Sequence, residues 1–143
     1  MSKIPFDLTT WNRKEHFHHY LNTVSCRYGM TVNLDITLLR AALKKRNYKL
    51  YPAVIHLLSR CVNQHKEFRM TLDQDDQLYY FDLLNPSYTI FHTDDETFSS
   101  TWTQYDPSFP AFYQNYLDDM QQYGNNHGML ARTPREDCFD ISC

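Results

Sequence analysis

The chain has 143 residues, enough for one domain with a hydrophobic core, and a formal net charge of -3 with scattered lysines and arginines. The absence of a basic face argues against nucleic-acid binding, and no apolar stretch approaches the length of a membrane helix. The first residues, MSKIPFDLTTW, lack the apolar run of a signal peptide, so we expect a cytoplasmic protein.

The cysteine and aromatic content only slightly restricts the kinds of protein that this chain can be. Four cysteines are far apart and form no C-x-x-C pair, so we expect them to be reduced: Cys26, Cys61, Cys138 and Cys143. Aromatic residues make up 15% of the chain, including 11 tyrosines. Such residues suit a core, an interface or a pocket for an aromatic ligand, and composition does not choose among these.

The first predicted element is an amphipathic helix over residues 8–22, with Thr10 as its cap and with Phe17 and Tyr20 on one face. Arg13 lies on the same face, and a charge on a core-facing stripe needs a partner. No carboxylate in this helix is placed to pair with Arg13, so the partner should come from another part of the fold. Residues 30–36, MTVNLDI, alternate and predict a strand.

The remaining elements follow in chain order. A helix is predicted over 37–47 with its cap near Thr37, and a second over 50–65, apolar on most sides and therefore interior. Residues 69–82 predict a hairpin turning at Asp75 and Asp76, and 87–94 predict a strand. The last helix, 106–124, should begin with Asp106 as its cap and Pro107 in its first turn, and stop at Gly124.

A loop over 125–137 leads to a final strand, CFDISC, in which Phe139 and Ile141 alternate with polar residues. We see no repeat and no linker, so residues 1–143 are predicted to form a single mixed α/β domain. A strand with alternating apolar residues normally pairs with neighbouring strands in a sheet, and without them it would be an unpaired edge. The sequence therefore predicts the N-terminal portion of a domain rather than a complete one.

Two pairs of side chains have spacings that permit shared zinc ligation, His16 with His19 and Cys61 with His65. Neither pair has a third ligand nearby in sequence, so we expect no metal site. Cys61 and His65 also suggest a nucleophilic pair, but a cysteine on an apolar helix face usually behaves as a small hydrophobe. The run TFSSTWTQY is typical of a polar edge strand or loop, or of the lining of a pocket for a ligand with rings and hydroxyls. Taken alone, it favours the edge strand or loop.

Five segments in order resemble the chloramphenicol acetyltransferase family: WNRKEHF, LDIT, KLYPAVIHLLSRCVNQHKEFRM, YTIFHTDDETFSS and FDIS. The resemblance is to the trimeric type, not to the hexapeptide-repeat enzymes. It implies a two-layer α/β fold, a mixed β-sheet with packed helices, truncated here before the C-terminal strands. It also implies antibiotic resistance through acetyl transfer from acetyl-CoA to the 3-hydroxyl of chloramphenicol. The family's active site lies between the subunits of a homotrimer, and acetyl-CoA is a cosubstrate rather than a permanently bound cofactor.

The resemblance also assigns catalytic roles. The family's general base belongs to a His-His-x-x-x-Asp-Gly motif, whereas His18 and His19 are followed by YLNTV, so the base is expected to be absent from this chain. Ser142 matches the serine whose hydroxyl donates to the developing oxyanion. Arg13 matches the arginine that pairs with the aspartate of the histidine motif, which would supply the missing partner.

Binding positions are assigned in the same way. The positions that match the family's drug pocket are Tyr20, Cys26, Tyr28, Thr89, Phe98 and Ser100. Lys49 and Tyr51 match positions near the CoA end. This sequence departs from the family at two positions, since the position of His19 is usually aromatic and Ser100 replaces a small apolar residue. We expect these departures to shift drug affinity without changing the reaction class.

Two other interpretations stay open. One is an acyltransferase of the same fold that acts on another hydroxyl or thiol, and the pocket residues favour chloramphenicol over it. The other is a non-catalytic ligand-binding or scaffold domain, which the absent histidine motif favours. We expect no nucleic-acid and no membrane partner in any of these cases.

Overall fold

The computed structural model describes residues 2–24 and 26–142. The four α-helices of this part are α1 (Lys14–Asn22), α2 (Thr37–Lys45), α3 (Leu50–Gln64) and α4 (Phe109–Tyr123). Its six strands are β1 (Lys3–Pro5), β2 (Met70–Leu72), β3 (Leu78–Phe81), β4 (Asn85–His92), β5 (Thr97–Trp102) and β6 (Cys138–Ile141), and a short 3-10 helix spans Lys66–Arg69. Within this range no helix combines the length and the apolarity needed to cross a bilayer.

The strands form two three-stranded sheets, which we call sheet A and sheet B. Sheet A has the order β1-β3-β2 and is antiparallel throughout. Sheet B has the order β5-β4-β6, with β5 antiparallel and β6 parallel to the central strand β4. The predicted mixed α/β architecture is therefore confirmed, with its strands divided between two small sheets.

The core lies between sheet B and the two long helices. Ile55 of α3, Phe112 of α4 and Tyr88 of β4 are almost fully buried and belong to one apolar cluster, which Tyr116 and Ile141 complete. Burying apolar surface contributes about 25 cal/mol per Å², so these large side chains hold the helices on the sheet. The core thereby fixes which face of sheet B stays open.

The α3 helix, the β2–β3 hairpin, β4 and β6 lie where the sequence predicts them. Asp76 in the hairpin turn adopts a positive φ of 57°, a conformation that aspartate tolerates better than most residues. The α3 helix is only partly interior, because Leu57, Leu58 and Cys61 are exposed. The prediction that it is buried on most sides is therefore wrong.

Three further predictions are wrong in detail. Residues 30–36 are exposed and form no strand, since a strand needs a pairing partner and no described strand lies beside them. The α1 helix begins at Lys14 rather than near Thr10 and buries no residue, so its apolar face does not enter the core. The α4 helix begins at Phe109, with Ser108 as N-cap, Pro110 in its first turn and Gly124 as C-cap.

Two local features explain the remaining boundaries. The Asp106 carboxylate accepts a hydrogen bond from the backbone N–H of Ser108 at 2.7 Å, so it orders the turn before α4 instead of capping the helix itself. A similar turn precedes α2 near the predicted cap at Thr37, since the Asp35 carboxylate accepts a hydrogen bond from the Thr37 N–H at 2.9 Å.

Cys26, Cys61 and Cys138 are free thiols, and Cys143 lies outside the described residues.

Candidate functional site

One face of sheet B brings together three of the predicted drug-pocket residues. Thr89 of β4 is directly opposite Ser100 of β5, and Phe91 is opposite Phe98. Side chains of directly paired residues share a face of a sheet, and neighbours along a strand alternate between faces. Tyr88 points into the core, so Thr89, Phe98 and Ser100 share the opposite face, where Phe91 and Phe98 are largely exposed. We call this the open face.

Ser142 follows the last residue of β6 and is exposed. The parallel register pairs Tyr88 with Ile141, so its continuation by one residue sets Ser142 beside Thr89. Because Tyr88 and Ile141 both belong to the core, the alternation turns Ser142 toward the open face. Three hydroxyl-bearing residues, Ser100, Thr89 and Ser142, thus follow one another across the three strands.

A buried polar cluster fixes the register that leads to Ser142. The backbone N–H of Asn85 donates to the Asp137 carbonyl at 2.8 Å, and its side-chain amide donates to the Asp137 carboxylate at 2.7 Å. Arg135 adds two hydrogen bonds to the same carboxylate, at 2.7 and 2.8 Å. Asn85 and Asp137 are 4% and 1% exposed. This cluster aligns the start of β6 with the start of β4.

The charge state of this cluster follows from its contacts. Burial alone would raise the pKa of the Asp137 carboxyl, but the hydrogen bonds and charge of Arg135 outweigh it and hold that pKa below its ordinary value. Burial also raises the pKa of the neighbouring Cys138 thiol to about 11. Cys138 is therefore a protonated thiol near neutral pH and unsuited to act as a nucleophile.

Tyr51 connects a predicted CoA position to the drug-pocket strand. Its hydroxyl donates to the backbone carbonyl of Thr89 at 3.0 Å, and its ring meets that of Tyr88 edge-on at 6.0 Å. Tyr51 lines a groove of ≈ 360 Å³ together with Thr89, Ile90, Phe91, Tyr116 and Met120. Lys49 precedes α3, where its backbone N–H donates to the hydroxyl of Tyr113 at 3.2 Å, and its side chain is exposed.

The positions on α1 form a separate surface. Tyr20 and Arg13 line an open, mostly apolar groove of ≈ 410 Å³, together with Trp11, His16, Phe17 and Leu21. Arg13 is exposed and has no ion pair among the described residues, so the prediction that it lies on a core-facing stripe is wrong here. The shared direction of Arg13, Phe17 and Tyr20 along the helix is correct.

Cys26 and Tyr28 lie in the exposed segment between α1 and α2. Tyr28 is 91% exposed. Within residues 2–24 and 26–142, no hydrogen bond, ion pair or ring contact joins this segment or α1 to sheet B. The described structure therefore unites half of the predicted drug-pocket positions and leaves Tyr20, Cys26 and Tyr28 apart from them.

The zinc pairs considered from the sequence are exposed, and no third ligand joins either pair in the described part of the chain. His56 is buried instead, with its Nε2 within hydrogen-bond distance of the Asp106 carbonyl at 3.1 Å. The Asn85–Asp137 pair was missed by sequence reasoning. The pairing of Arg135 and Asp137 just before an alternating strand is a weak signal for it, and the partner Asn85 is too distant in sequence to be inferred.

The family model for chloramphenicol acetyltransferase matches residues 1–143. The chain belongs to the chloramphenicol acetyltransferase family. A Clostridium butyricum protein named chloramphenicol acetyltransferase is 52% identical over 140 residues, covering 95% of this chain and 63% of that relative. A Clostridium perfringens protein of the same name is 50% identical over 127 residues, covering 89% and 58%.

A solved chloramphenicol acetyltransferase structure superposes with a TM-score of 0.77 at 22% identity, covering 84% of this chain and 56% of that one. At this identity the likeness establishes the fold, and it confirms the fold predicted from the sequence. The chain spans about six tenths of the length of the chloramphenicol acetyltransferases it matches in sequence, 58% and 63% for the two relatives above.

Proposed function

We propose that the protein to which these residues belong is a chloramphenicol O-acetyltransferase that confers resistance to the drug. In the proposed reaction a general base takes the proton of the 3-hydroxyl, and the hydroxyl oxygen attacks the thioester carbonyl of acetyl-CoA. The tetrahedral oxyanion then collapses, the carbon–sulfur bond breaks, and CoA leaves with the proton as a free thiol. Membership of the family and the names of its relatives support this reaction.

The observation that carries the proposal is the row of Ser100, Thr89 and Ser142 across the open face of sheet B. Ser142 is proposed to donate its hydroxyl hydrogen to the oxyanion, for which a donor must lie about 2.7–3.1 Å from the developing charge. The strand register supports this role, since it sets Ser142 beside Thr89 on the open face. Thr89, Phe98 and Ser100 would then contact the drug beside the reacting carbon.

The other positions complete the proposed substrate sites. Tyr20, Cys26 and Tyr28 are proposed to contact chloramphenicol in the homotrimer, where one subunit meets the next. Their exposure in the single chain is compatible with an intersubunit role. Tyr51 and Lys49 are proposed to lie at the acetyl-CoA end, supported by the hydrogen bond from Tyr51 to Thr89. Since acetyl-CoA is the donor, the reaction belongs in the cytoplasm.

The general base is proposed to be none of the seven histidines. No described hydrogen bond joins a histidine to Ser142. His56 instead contacts the Asp106 carbonyl through its Nε2, and His92 contacts the Ser99 hydroxyl through its Nε2. Arg13 is proposed to pair with the aspartate of the family's His-His-x-x-x-Asp-Gly motif. Its exposure without an ion pair leaves it available for such a carboxylate.

Release of the CoA thiol with acetyl-CoA and chloramphenicol tests the proposal. The 143-residue chain should show no activity above a blank without protein, because a general base contributes about 10²–10⁴-fold. A protein that carries these residues together with the histidine motif should be active, and thiol release should depend on chloramphenicol. Activity of the 143-residue chain alone would assign the base to His18, His19 or His92 and overturn the assignment above.

Two further outcomes address the rival functions. Binding of chloramphenicol by the motif-containing protein without acetyl transfer would favour a ligand-binding domain. Thiol release with another hydroxyl or thiol acceptor, but none with chloramphenicol, would favour a different acyltransferase of the same fold.

A further inference from the structure

Three side chains with metal-ligating atoms meet where the β4–β5 turn faces the loop after α4. His92 ends β4, Asp94 lies in the turn and His127 lies in the loop. One ligand atom from each lies within 4.8 Å of the others. The rings of His92 and His127 stack with centroids 4.0 Å apart and an interplanar angle of 21°. His92 is 6% exposed, whereas His127 and Asp94 are largely accessible.

The hydrogen bonds around His92 define which ring nitrogen is free. Its Nε2 lies 2.8 Å from the hydroxyl oxygen of Ser99. The Ser99 hydroxyl donates its one hydrogen to the Asn126 carbonyl at 2.9 Å. Ser99 must therefore accept from His92, so Nε2 of His92 carries the hydrogen and Nδ1 keeps a lone pair. A lone pair on a fixed, buried imidazole is the form in which histidine binds a metal ion.

The hydrogen bonds of His127 likewise show which of its ring nitrogens carries the hydrogen. Its Nδ1 lies 2.7 Å from a carboxylate oxygen of Asp95, which accepts but cannot donate, so Nδ1 carries the hydrogen. Asp95 is held in turn by the backbone N–H and the hydroxyl of Thr97, at 3.1 and 2.7 Å. A carboxylate that orients a histidine through its second nitrogen is the usual outer shell of a zinc ligand.

The free nitrogen of His127 then faces a second acceptor. Its Nε2 lies 3.7 Å from the Asp94 carboxylate, longer than an N–H···O hydrogen bond of about 2.7–3.2 Å. In the neutral ring both atoms present lone pairs, so a cation between them would be stabilising. We propose that His92 Nδ1, His127 Nε2 and the Asp94 carboxylate bind a divalent metal ion of the zinc class.

The ligand set supports this choice of ion. Two imidazole nitrogens and one carboxylate are a known zinc set that leaves a fourth position for water. A tetrahedral ion with bonds of about 2.0–2.1 Å needs its ligand atoms roughly 3.3 Å apart, so the site must contract by up to about 1.5 Å. A lone pair lies in the plane of its imidazole ring, so the stacked rings do not aim their free nitrogens at one point. Asp94 and His127 are the exposed members, and His127 must turn out of the stack for both nitrogens to reach one ion beside the fixed His92.

Binding there would fasten the loop after α4 to sheet B. That loop already meets β5 through the hydrogen bonds from Ser100 N–H to the Met129 carbonyl and from Ala131 N–H to the Ser100 carbonyl, both 2.9 Å. The proposed ion would restrain residues 125–131 beside the predicted drug-pocket residue Ser100. This inference does not depend on the proposed acetyl transfer, because its test measures metal binding alone.

The test is titration of the 143-residue chain with Zn²⁺, followed by NMR of the histidine ring nitrogens. Resonances of His92 Nδ1 and His127 Nε2 should shift with one Zn²⁺ per chain, while Nε2 of His92 and Nδ1 of His127 stay protonated. Reading each nitrogen separately also distinguishes this site from zinc bound at the exposed thiols of Cys26 and Cys61. Amide exchange in residues 125–131 should slow on Zn²⁺ addition.

Variants of exposed residues provide the second measurement, because they spare the buried His92. Asp94→Asn and His127→Gln should each weaken Zn²⁺ binding by more than about 100-fold, and Asp95→Asn by roughly 10–100-fold, as for an outer-shell partner. His16→Ala with His19→Ala, the exposed pair on α1, is the matched control and should bind as the unmodified chain does. The proposal is overturned if Zn²⁺ leaves both ring nitrogens unshifted or if Asp94→Asn binds normally.

Discussion

Replacing Asp137 with alanine should loosen the strand that leads to Ser142. The Asp137 carboxylate accepts one hydrogen bond from the buried Asn85 amide and two from Arg135. Alanine removes the acceptor for all three bonds but leaves the backbone hydrogen bond between Asn85 and residue 137. The perturbation is therefore confined to the side-chain cluster at the start of β6.

The size of the effect follows from the burial of each partner. The Asn85 amide would be left in a site that is 4% exposed, and a buried unsatisfied donor costs about 1–3 kcal/mol. The Arg135 side chain is 44% exposed and can turn to water, so its lost ion pair adds only about 0–1 kcal/mol. Together the two contributions give an expected loss of roughly 1–4 kcal/mol in the free energy of unfolding.

Thermal unfolding monitored by circular dichroism measures this loss. For a chain of this size, a change of roughly 1–4 kcal/mol lowers the midpoint by about 3–16 °C. Glu136→Ala removes a neighbouring exposed carboxylate and is the matched control, expected to stay within about 0.5 kcal/mol of the unmodified chain. If Asp137→Ala unfolds at the same temperature as Glu136→Ala, the cluster does not stabilise β6 and the reasoning fails.

Three further outcomes are expected. In the motif-containing protein, Ser142→Ala should lower turnover by about 10²–10³-fold with little change in chloramphenicol binding, whereas Ser108→Ala, a change at the exposed N-cap of α4, should not. A Ser142→Ala turnover within about twofold of the parent excludes the oxyanion role, since that change is well under 1 kcal/mol. Arg13→Ala should change the stability of the 143-residue chain by less than about 0.5 kcal/mol, because Arg13 is exposed and unpaired there; a larger loss in chemical denaturation would reveal a partner. The folded-state pKa of Asp137 lies below its ordinary 3.8, so its contribution to stability is present above about pH 4 and is lost as the pH falls through the folded pKa. Asp137→Ala should remove that part of the acid-induced loss, and an unchanged pH dependence of the unfolding midpoint would contradict the assignment.

The elements that the sequence predicted well are those whose signals are local. The α3 helix and β4 have strong periodicity, and the β2–β3 turn contains consecutive aspartates, so chain neighbours suffice to define them. The β1 strand was missed because three residues are too few to establish a period, and they depend on β3 for their pairing. Residues 30–36 show the reverse case, since a strand-like pattern forms no strand without a described partner.

The candidate site, like the fold, has a part that the sequence predicted and a part that depends on contacts between distant segments. The resemblance assigned Thr89, Phe98 and Ser100, and the strand register brings these three onto one face of sheet B. The other contacts of the site depend on which distant segments pair with each other, and a single sequence does not reveal that pairing. The contact between Asn85 and Asp137, and the one between His92 and His127, each join residues from separate elements. The apolar face of α1 was predicted correctly, but its pattern does not reveal what covers it.

The parallel pairing of β6 with β4 has a consequence for the order of folding. The β4–β5 pair closes across a short turn, whereas β6 reaches β4 only after β5, α4 and the following loop have been traversed. Contacts between distant segments incur a larger loop-closure entropy and tend to form late. Substitutions at Asp137 should then accelerate unfolding while leaving the refolding rate nearly unchanged. The strand next to Ser142 would dock after the rest of sheet B and be the first to detach from it.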